Sequence, residues 1–135
     1  LTQANIFNVL KRLKDEFGIS YILITHDIAT SSELAQNVAV MYAGKVMEYT
    51  DVKTLYANPK NPYTVGLLQS IPVLGLKSKE NRLNTISGVV PSLQNLPPGC
   101  LYSDRCPDVF NDCRQVRPDI YPVTANHFVR CLKYA

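Results

Sequence analysis

The sequence predicts an α/β fold that is followed by a small irregular module rich in proline and cysteine. Two observations lead to this prediction. Near the start of the chain, an apolar pattern of helical period runs directly into a β-branched apolar stretch. All four cysteines and six of the nine prolines then lie beyond residue 90, in a segment without a long periodic pattern. Such a segment buries little apolar area and needs another source of stability.

The first elements are typical of an α/β protein. Apolar residues recur at helical spacing before a glycine, which predicts a helix from about Thr2 to Gly18 with one buried stripe (Ile6, Val9, Leu10, Leu13 and Phe17). Residues 19–25, ISYILIT, are apolar on both faces. This pattern predicts a strand that is covered on both sides, as in a parallel sheet.

The following residues predict shorter elements. A helix is expected over residues 28–36, and two strands are expected around a tight turn at Ala43-Gly44. Asp51 can cap a short helix over residues 52–57. Asn61 and Pro62 are a typical N-cap and first helical residue of another helix, which Pro72 ends.

Changes in composition suggest three parts. The polar stretch LGLKSKENRLNT begins at residue 74, and residues 73–84 are predicted to be a linker. We therefore expect an α/β part over residues 1–72 and the cysteine module over residues 85–135.

Composition excludes several classes of protein. The 135 residues carry a net charge of +3 with scattered basic residues, so nucleic acid is not an expected partner. No apolar run approaches the roughly 18 residues of a membrane span, and no signal peptide is recognisable. The sequence lacks an initiator methionine and opens inside a predicted helix, so we expect a fragment of a longer protein.

His26 is the first candidate functional residue. It follows the predicted buried strand directly, and ligands of open α/β sheets bind beyond the carboxyl ends of the strands. An imidazole there can donate a hydrogen bond to a phosphate oxygen or position a water. The alternative is a histidine that caps the next helix or packs at the sheet edge.

Longer stretches resemble a known family. YILITHDIATSSELAQNVAVMYAGKVMEYT is similar to the region around the switch histidine of ABC-transporter ATPases. The resemblance continues through NPKNPYTVGLLQSIP and GVVPSLQNLPPGCLYSDRCP to the last cysteine. Together these stretches resemble the ATP-binding subunit of a dipeptide/oligopeptide ABC importer. The fold implied is the C-terminal part of a RecA-like ABC ATPase core, followed by the cysteine module.

The resemblance implies a function for the full-length parent. His26 would be catalytic and would contact the γ-phosphate of ATP, which binds with Mg²⁺. The implied partners are the N-terminal half of the same ATPase, a second ATPase subunit and membrane permease subunits, at the cytoplasmic face of the cell membrane. No GxxxxGK[ST] phosphate loop occurs in this sequence. We therefore expect the fragment alone to be inactive in ATP hydrolysis.

The four cysteines have three possible roles. Cys100, Cys106, Cys113 and Cys131 could form disulfides, hold a zinc ion, or hold an iron–sulfur cluster. Their wide spacing is less typical of zinc, whose ligands usually come in close pairs. The resemblance implies a [4Fe–4S] cluster on these four residues. His127 could replace one thiolate, or it could simply be packed.

Two rival functions remain open from the sequence. The chain could be a stand-alone metal-binding or iron–sulfur module, which iron and sulfide analysis would reveal. It could also be an interaction domain whose thiols are incidental. The transported substrate (dipeptide, oligopeptide or nickel) does not follow from the residues.

Overall fold

A computed structural model describes residues 2–28, 33–71 and 85–135. The chain divides into two compact units, residues 1–36 and residues 37–135. Among the described residues, no helix is both long and apolar enough to cross a membrane.

The first unit contains the predicted helix. Helix α1 spans Thr2–Phe17, and Gly18 follows it with a φ of +62°. The N–H of Gly18 donates to the carbonyl oxygen of Lys14 at 2.9 Å, which closes the last turn as a C-terminal glycine commonly does. The apolar stripe of α1 was predicted to be buried, and this prediction is wrong for this chain, because Ile6 is 54% and Phe17 is 69% exposed.

The strand predicted over residues 19–25 is also absent: these residues form no regular element. Ile22 and Ile24 are each 93% exposed. A strand needs a neighbour for its N–H and C=O groups, and every strand described in the structure pairs within residues 37–135. Of the helix predicted over residues 28–36, residues 29–32 lie outside the described residues, and residues 33–36 contain a turn and a bend but no helix.

The second unit is built on a four-stranded sheet. Strands β1 (Asn37–Tyr42) and β2 (Lys45–Asp51) form the predicted hairpin. Its turn residues, Ala43 and Gly44, have φ angles of +45° and +77°, which match the left-handed pair that a two-residue hairpin turn favours. Glycine accepts this conformation at no steric cost.

The remaining two strands come from the end of the chain. Strand β3 spans Tyr121–Thr124 and β4 spans His127–Val129, and the sheet order is β1-β2-β4-β3. All described pairings are antiparallel, so the predicted parallel sheet is not found among them. Each edge strand carries a register shift, at Val40/Met41 in β1 and at Pro122/Thr124 in β3.

Two short helices follow the hairpin as predicted. Helix α2 spans Val52–Ala57, and the Asp51 side chain accepts from the N–H of Thr54. Helix α3 spans Pro62–Gln69, and the Asn61 side chain accepts from the N–H of Tyr63. Both N-caps are therefore confirmed.

The cysteine-rich end is less independent than expected. Because β4 pairs with β2, residues on both sides of the predicted linker contribute to one sheet. Two short strands and three short 3₁₀ turns also give regular structure to a segment that was predicted to be irregular. The linker itself, residues 73–84, lies outside the described residues, so the predicted boundaries stay predictions.

The core of this unit is small and aromatic. Tyr42, Met47, Leu101 and Tyr102 form its buried cluster. The rings of Tyr42, Tyr63 and Tyr102 contact one another with centroids 4.7–5.4 Å apart. Tilted and edge-on aromatic pairs of this kind add to the stability gained from buried area.

A buried carboxylate connects the sheet to the segment before α3. Glu48 on β2 is fully buried and accepts from the backbone N–H groups of Lys60 at 2.7 Å and Asn61 at 2.9 Å. His127 Nε2 on β4 lies 2.7 Å from Glu48 Oε1. The three interactions compensate for the cost of placing a carboxylate in the interior.

We expect Glu48→Ala to lower the free energy of unfolding by about 3–5 kcal/mol, because it leaves a buried imidazole and two N–H groups without an acceptor. Asp104→Ala is the control, since Asp104 makes only an exposed ion pair with Arg114 at 3.3 Å. Its cost should be at most about 1 kcal/mol. Urea unfolding followed by circular dichroism measures both, and equal costs would contradict the role assigned to Glu48.

Candidate functional site: a cysteine-lined cavity

All four cysteines line one cavity. Its volume is about 360 Å³, including a part that is open to solvent, and its lining residues lie between Met47 and Lys133 in the sequence. Cys113 is buried, and Cys100, Cys106 and Cys131 are partly buried. Four cysteines that are separated in the sequence therefore border a shared space.

Two walls of the cavity are joined by a close backbone approach. The N–H of Cys100 donates to the carbonyl oxygen of Cys113 at 2.8 Å. A Cβ atom at Gly99 would lie only 2.3 Å from that same oxygen. Only glycine fits here, so this residue allows Cys100 and Cys113 to lie side by side.

The other two cysteines are placed at short 3₁₀ turns. Cys106 follows the turn Ser103–Arg105, and Cys131 precedes the turn Leu132–Tyr134. Arg130 fixes the second of these positions, because its N–H donates to the Met47 oxygen at 2.8 Å and its Nε donates to the Val46 oxygen at 2.9 Å. Residues 130–133 line this side of the cavity, which we call the Cys131 wall. It is thereby held against β2.

Burial determines the protonation of the thiols. It raises the pKa values of Cys100 and Cys131, and it raises the pKa of Cys106 to about 11, with the negative charge of Asp108 adding to the effect. These three side chains are therefore neutral thiols near pH 7. A metal that binds them must displace their protons.

One ion pair lies at the cavity. Lys133 Nζ is 2.7 Å from Asp108 Oδ2, both residues line the cavity, and each side chain is about half exposed. The pair joins the segment after Cys106 to the segment after Cys131. An exposed pair of this kind contributes little stability.

The structure bears differently on the three roles expected of the cysteines. All four are free, so the disulfide alternative is not found. In the described ranges, no group of three or more His, Cys, Asp or Glu side chains is placed to hold a metal ion. His127 is buried against Glu48, which agrees with the packed alternative rather than with a ligand.

His26 belongs to the other unit. Its side chain is exposed and follows the irregular residues 19–25. Its predicted contact with a phosphate stays a prediction.

Sequence reasoning missed the part that Asn61 plays at the cavity. Asn61 was recognised as a helix cap, but it also lines the cavity and donates to the carbonyl oxygens of Met47 and Arg130. No local pattern signals a contact between residues 61 and 130.

The chain is similar to several known proteins. Residues 47–113 match the family described as "Oligopeptide/dipeptide transporter, C-terminal region". The chain is 42% identical over 132 residues to the oligopeptide transport ATP-binding protein AppD of Bacillus subtilis, covering 98% of this chain and 40% of AppD. It is 41% identical over 131 residues to OppD of Mycobacterium tuberculosis, another oligopeptide transport ATP-binding protein, covering 97% of this chain and 21% of OppD.

A similar match is found to a candidate peptide import ATP-binding protein of Brucella ovis, with 40% identity over 136 residues and 98% of this chain covered. The chain spans about 40% of the length of that protein.

We expect Gly99→Ala to lower the free energy of unfolding by about 1–3 kcal/mol, because the new Cβ must push the Cys113 backbone away. Gly66→Ala is the matched control, since its Cβ would meet side chains rather than backbone, namely Ile86 at 3.0 Å and the Tyr102 hydroxyl at 3.8 Å. The alanine also favours the helix there, so the control should change stability little. Chemical unfolding of both variants tests this, and an unchanged Gly99→Ala variant would contradict the close approach.

The raised pKa of Cys106 predicts a pH dependence. Because the neutral thiol is favoured in the fold, its contribution to stability is full below the ordinary value of 9.0 and is lost as the pH rises toward about 11. We expect wild type to lose more stability than Cys106→Ser over this range. Site-resolved alkylation should also give half-maximal labelling of Cys106 near pH 11, and labelling centred near pH 9 would contradict the assignment.

Proposed function

Because the chain belongs to the oligopeptide/dipeptide transporter C-terminal family, we propose that it is the C-terminal part of an ATP-binding subunit that powers peptide import by an ABC transporter. The observation that supports this most directly is the match of 98% of the chain, at 42% identity, to an oligopeptide transport ATP-binding protein. The fragment supplies one phosphate-contacting side chain and the C-terminal module, and the rest of the subunit supplies the remaining nucleotide site.

The exposed apolar surface of the first unit supports the proposal. Residues 19–25 have the sequence of a strand covered on both faces, yet Ile22 and Ile24 are 93% exposed. Ile6, Val9 and Phe17 of α1 are exposed as well. In the full subunit, the strands and helices of the nucleotide-binding core would pair with residues 19–25 and cover α1.

His26 would act in that assembled site. Placed just past the strand formed by residues 19–25, its imidazole could donate to the γ-phosphate of ATP and help to position the attacking water. ATP and Mg²⁺ are thus ligands of the assembled subunit. Phosphoryl transfer depends on positioning and on neutralising charge, and a histidine without a phosphate loop provides neither sufficiently.

The N-terminal half of the same subunit, a second ATP-binding subunit and membrane permease subunits would complete the importer. The chain would then act at the cytoplasmic face of the cell membrane.

We expect no ATP hydrolysis by the 135-residue chain alone, and recovery of turnover when it is joined to the N-terminal half of the subunit. In the joined protein, His26→Ala should lower kcat by about 10²–10³-fold, as the loss of one transition-state hydrogen-bond donor does. Lys11→Ala, an exposed change on α1, is the control. Turnover by the chain alone, or a fully active His26→Ala protein, would contradict the proposal.

For the cysteine cavity we propose a [4Fe–4S] cluster bound by Cys100, Cys106, Cys113 and Cys131, with a zinc ion as the alternative. Four cysteines around one cavity match in number the four thiolate ligands of such a cluster. The wide spacing of the four cysteines in the sequence is less typical of zinc, whose ligands usually come in close pairs, and so favours the cluster. Such a centre would mainly stabilise a segment with little apolar core.

Anaerobic reconstitution with iron and sulfide tests the cavity. We expect a broad visible absorption band, a higher Tm, and about four iron atoms per chain, the content of one such cluster. Cys113→Ser should lose the band, whereas Ser103→Ala at the same cavity should keep it. Tight binding of zinc, with no iron bound, would favour the zinc alternative. If no metal binds and the Tm is unchanged, the chain would instead be an interaction domain with incidental thiols.

A further inference from the structure

Asn61 stands at the junction of helix α3, strand β2 and the Cys131 wall. Its side chain is 1% exposed, and it lines the cysteine cavity. Oδ1 accepts from the N–H of Tyr63 at 2.9 Å. Nδ2 donates to the carbonyl oxygens of Met47 at 3.2 Å and Arg130 at 3.0 Å. Every hydrogen-bonding group of the amide therefore has a partner, and the amide orientation follows from them.

The bond to the Arg130 oxygen matters for the cavity, because that oxygen belongs to the peptide group that leads into Cys131. The backbone N–H of Asn61 in turn donates to Glu48 Oε2 at 2.9 Å. The buried carboxylate thus fixes the backbone of Asn61, and the Asn61 side chain binds the peptide group that precedes Cys131. A helix cap alone would require only the Oδ1 contact.

We propose that Asn61 is the positioning residue for Cys131, and that it holds this thiol in the cavity before any metal binds. The proposal rests on the cavity being the site where the four cysteines act together. The metal-free protein then has a preformed Cys131 wall. Preformed sites bind with less loss of conformational freedom than sites that must be ordered by the ligand.

Asn61→Ser separates the two roles of the side chain. The serine hydroxyl can still accept from the N–H of Tyr63, but it is too short to donate to the Arg130 oxygen. Site-resolved alkylation of the metal-free 135-residue chain with iodoacetamide then reports each thiol separately. We expect labelling of Cys131 to accelerate roughly fivefold, the effect of one lost buried hydrogen bond, while Cys100 and Cys113 keep their rates.

Asp51→Ala is the matched control. It removes the cap of α2, a bond of 3.0 Å from the Thr54 N–H to Oδ1, and Asp51 is not a lining residue of the cavity. It should lower Tm without changing the relative rates of the four thiols. Asn61→Asp, which keeps the cap but cannot donate, is the second variant should Asn61→Ser not fold.

The outcomes separate this proposal from the proposed cluster. Selective acceleration at Cys131 supports Asn61 as its positioning residue, whether or not iron binds. Equal acceleration of all four thiols, or no change at Cys131 in both Asn61 variants, overturns it. Failure of iron to bind wild type counts against the cluster alone, because the alkylation experiment contains no metal.

Discussion

The carboxylate of Glu48 is the constraint on which the second unit depends. It lies on β2, is fully buried, and accepts from the N–H groups of Lys60 and Asn61 while facing His127 of β4. A buried carboxylate without partners would destabilise the fold strongly, so these segments must meet at this point. The last strand, the start of α3 and one wall of the cysteine cavity are thereby ordered around a single side chain.

The sequence predicted well those elements that local rules determine. The hairpin turn at Ala43-Gly44 needs left-handed backbone, and the Asp51 and Asn61 caps need only a side-chain oxygen near the first helical N–H groups. Strands β3 and β4 were not predicted because they have four and three residues and are stabilised by distant partners. The pair of Glu48 and His127 joins residues 79 positions apart, and no local pattern signals it.

Residues 19–25 show the opposite case, because their sequence predicts a buried strand that the structure does not contain. Apolar residues on both faces are typical of a covered strand, but burial requires other elements that pack against it. For the site, the four cysteines line one cavity, whereas their joint action and the bound group remain proposals. Gly99 and Asn61 place these cysteines through contacts with distant backbone groups, which only the folded structure reveals.

The irregular edges of the sheet have a consequence for solubility. Both outer strands carry a register shift, and β3 also contains Pro122, which has no N–H to offer a further strand. A flat, regular edge would invite pairing with another molecule and growth into fibrils. With both edges blunted, self-association of this chain would arise from exposed apolar side chains, such as Ile22 and Ile24, rather than from extension of the β-sheet.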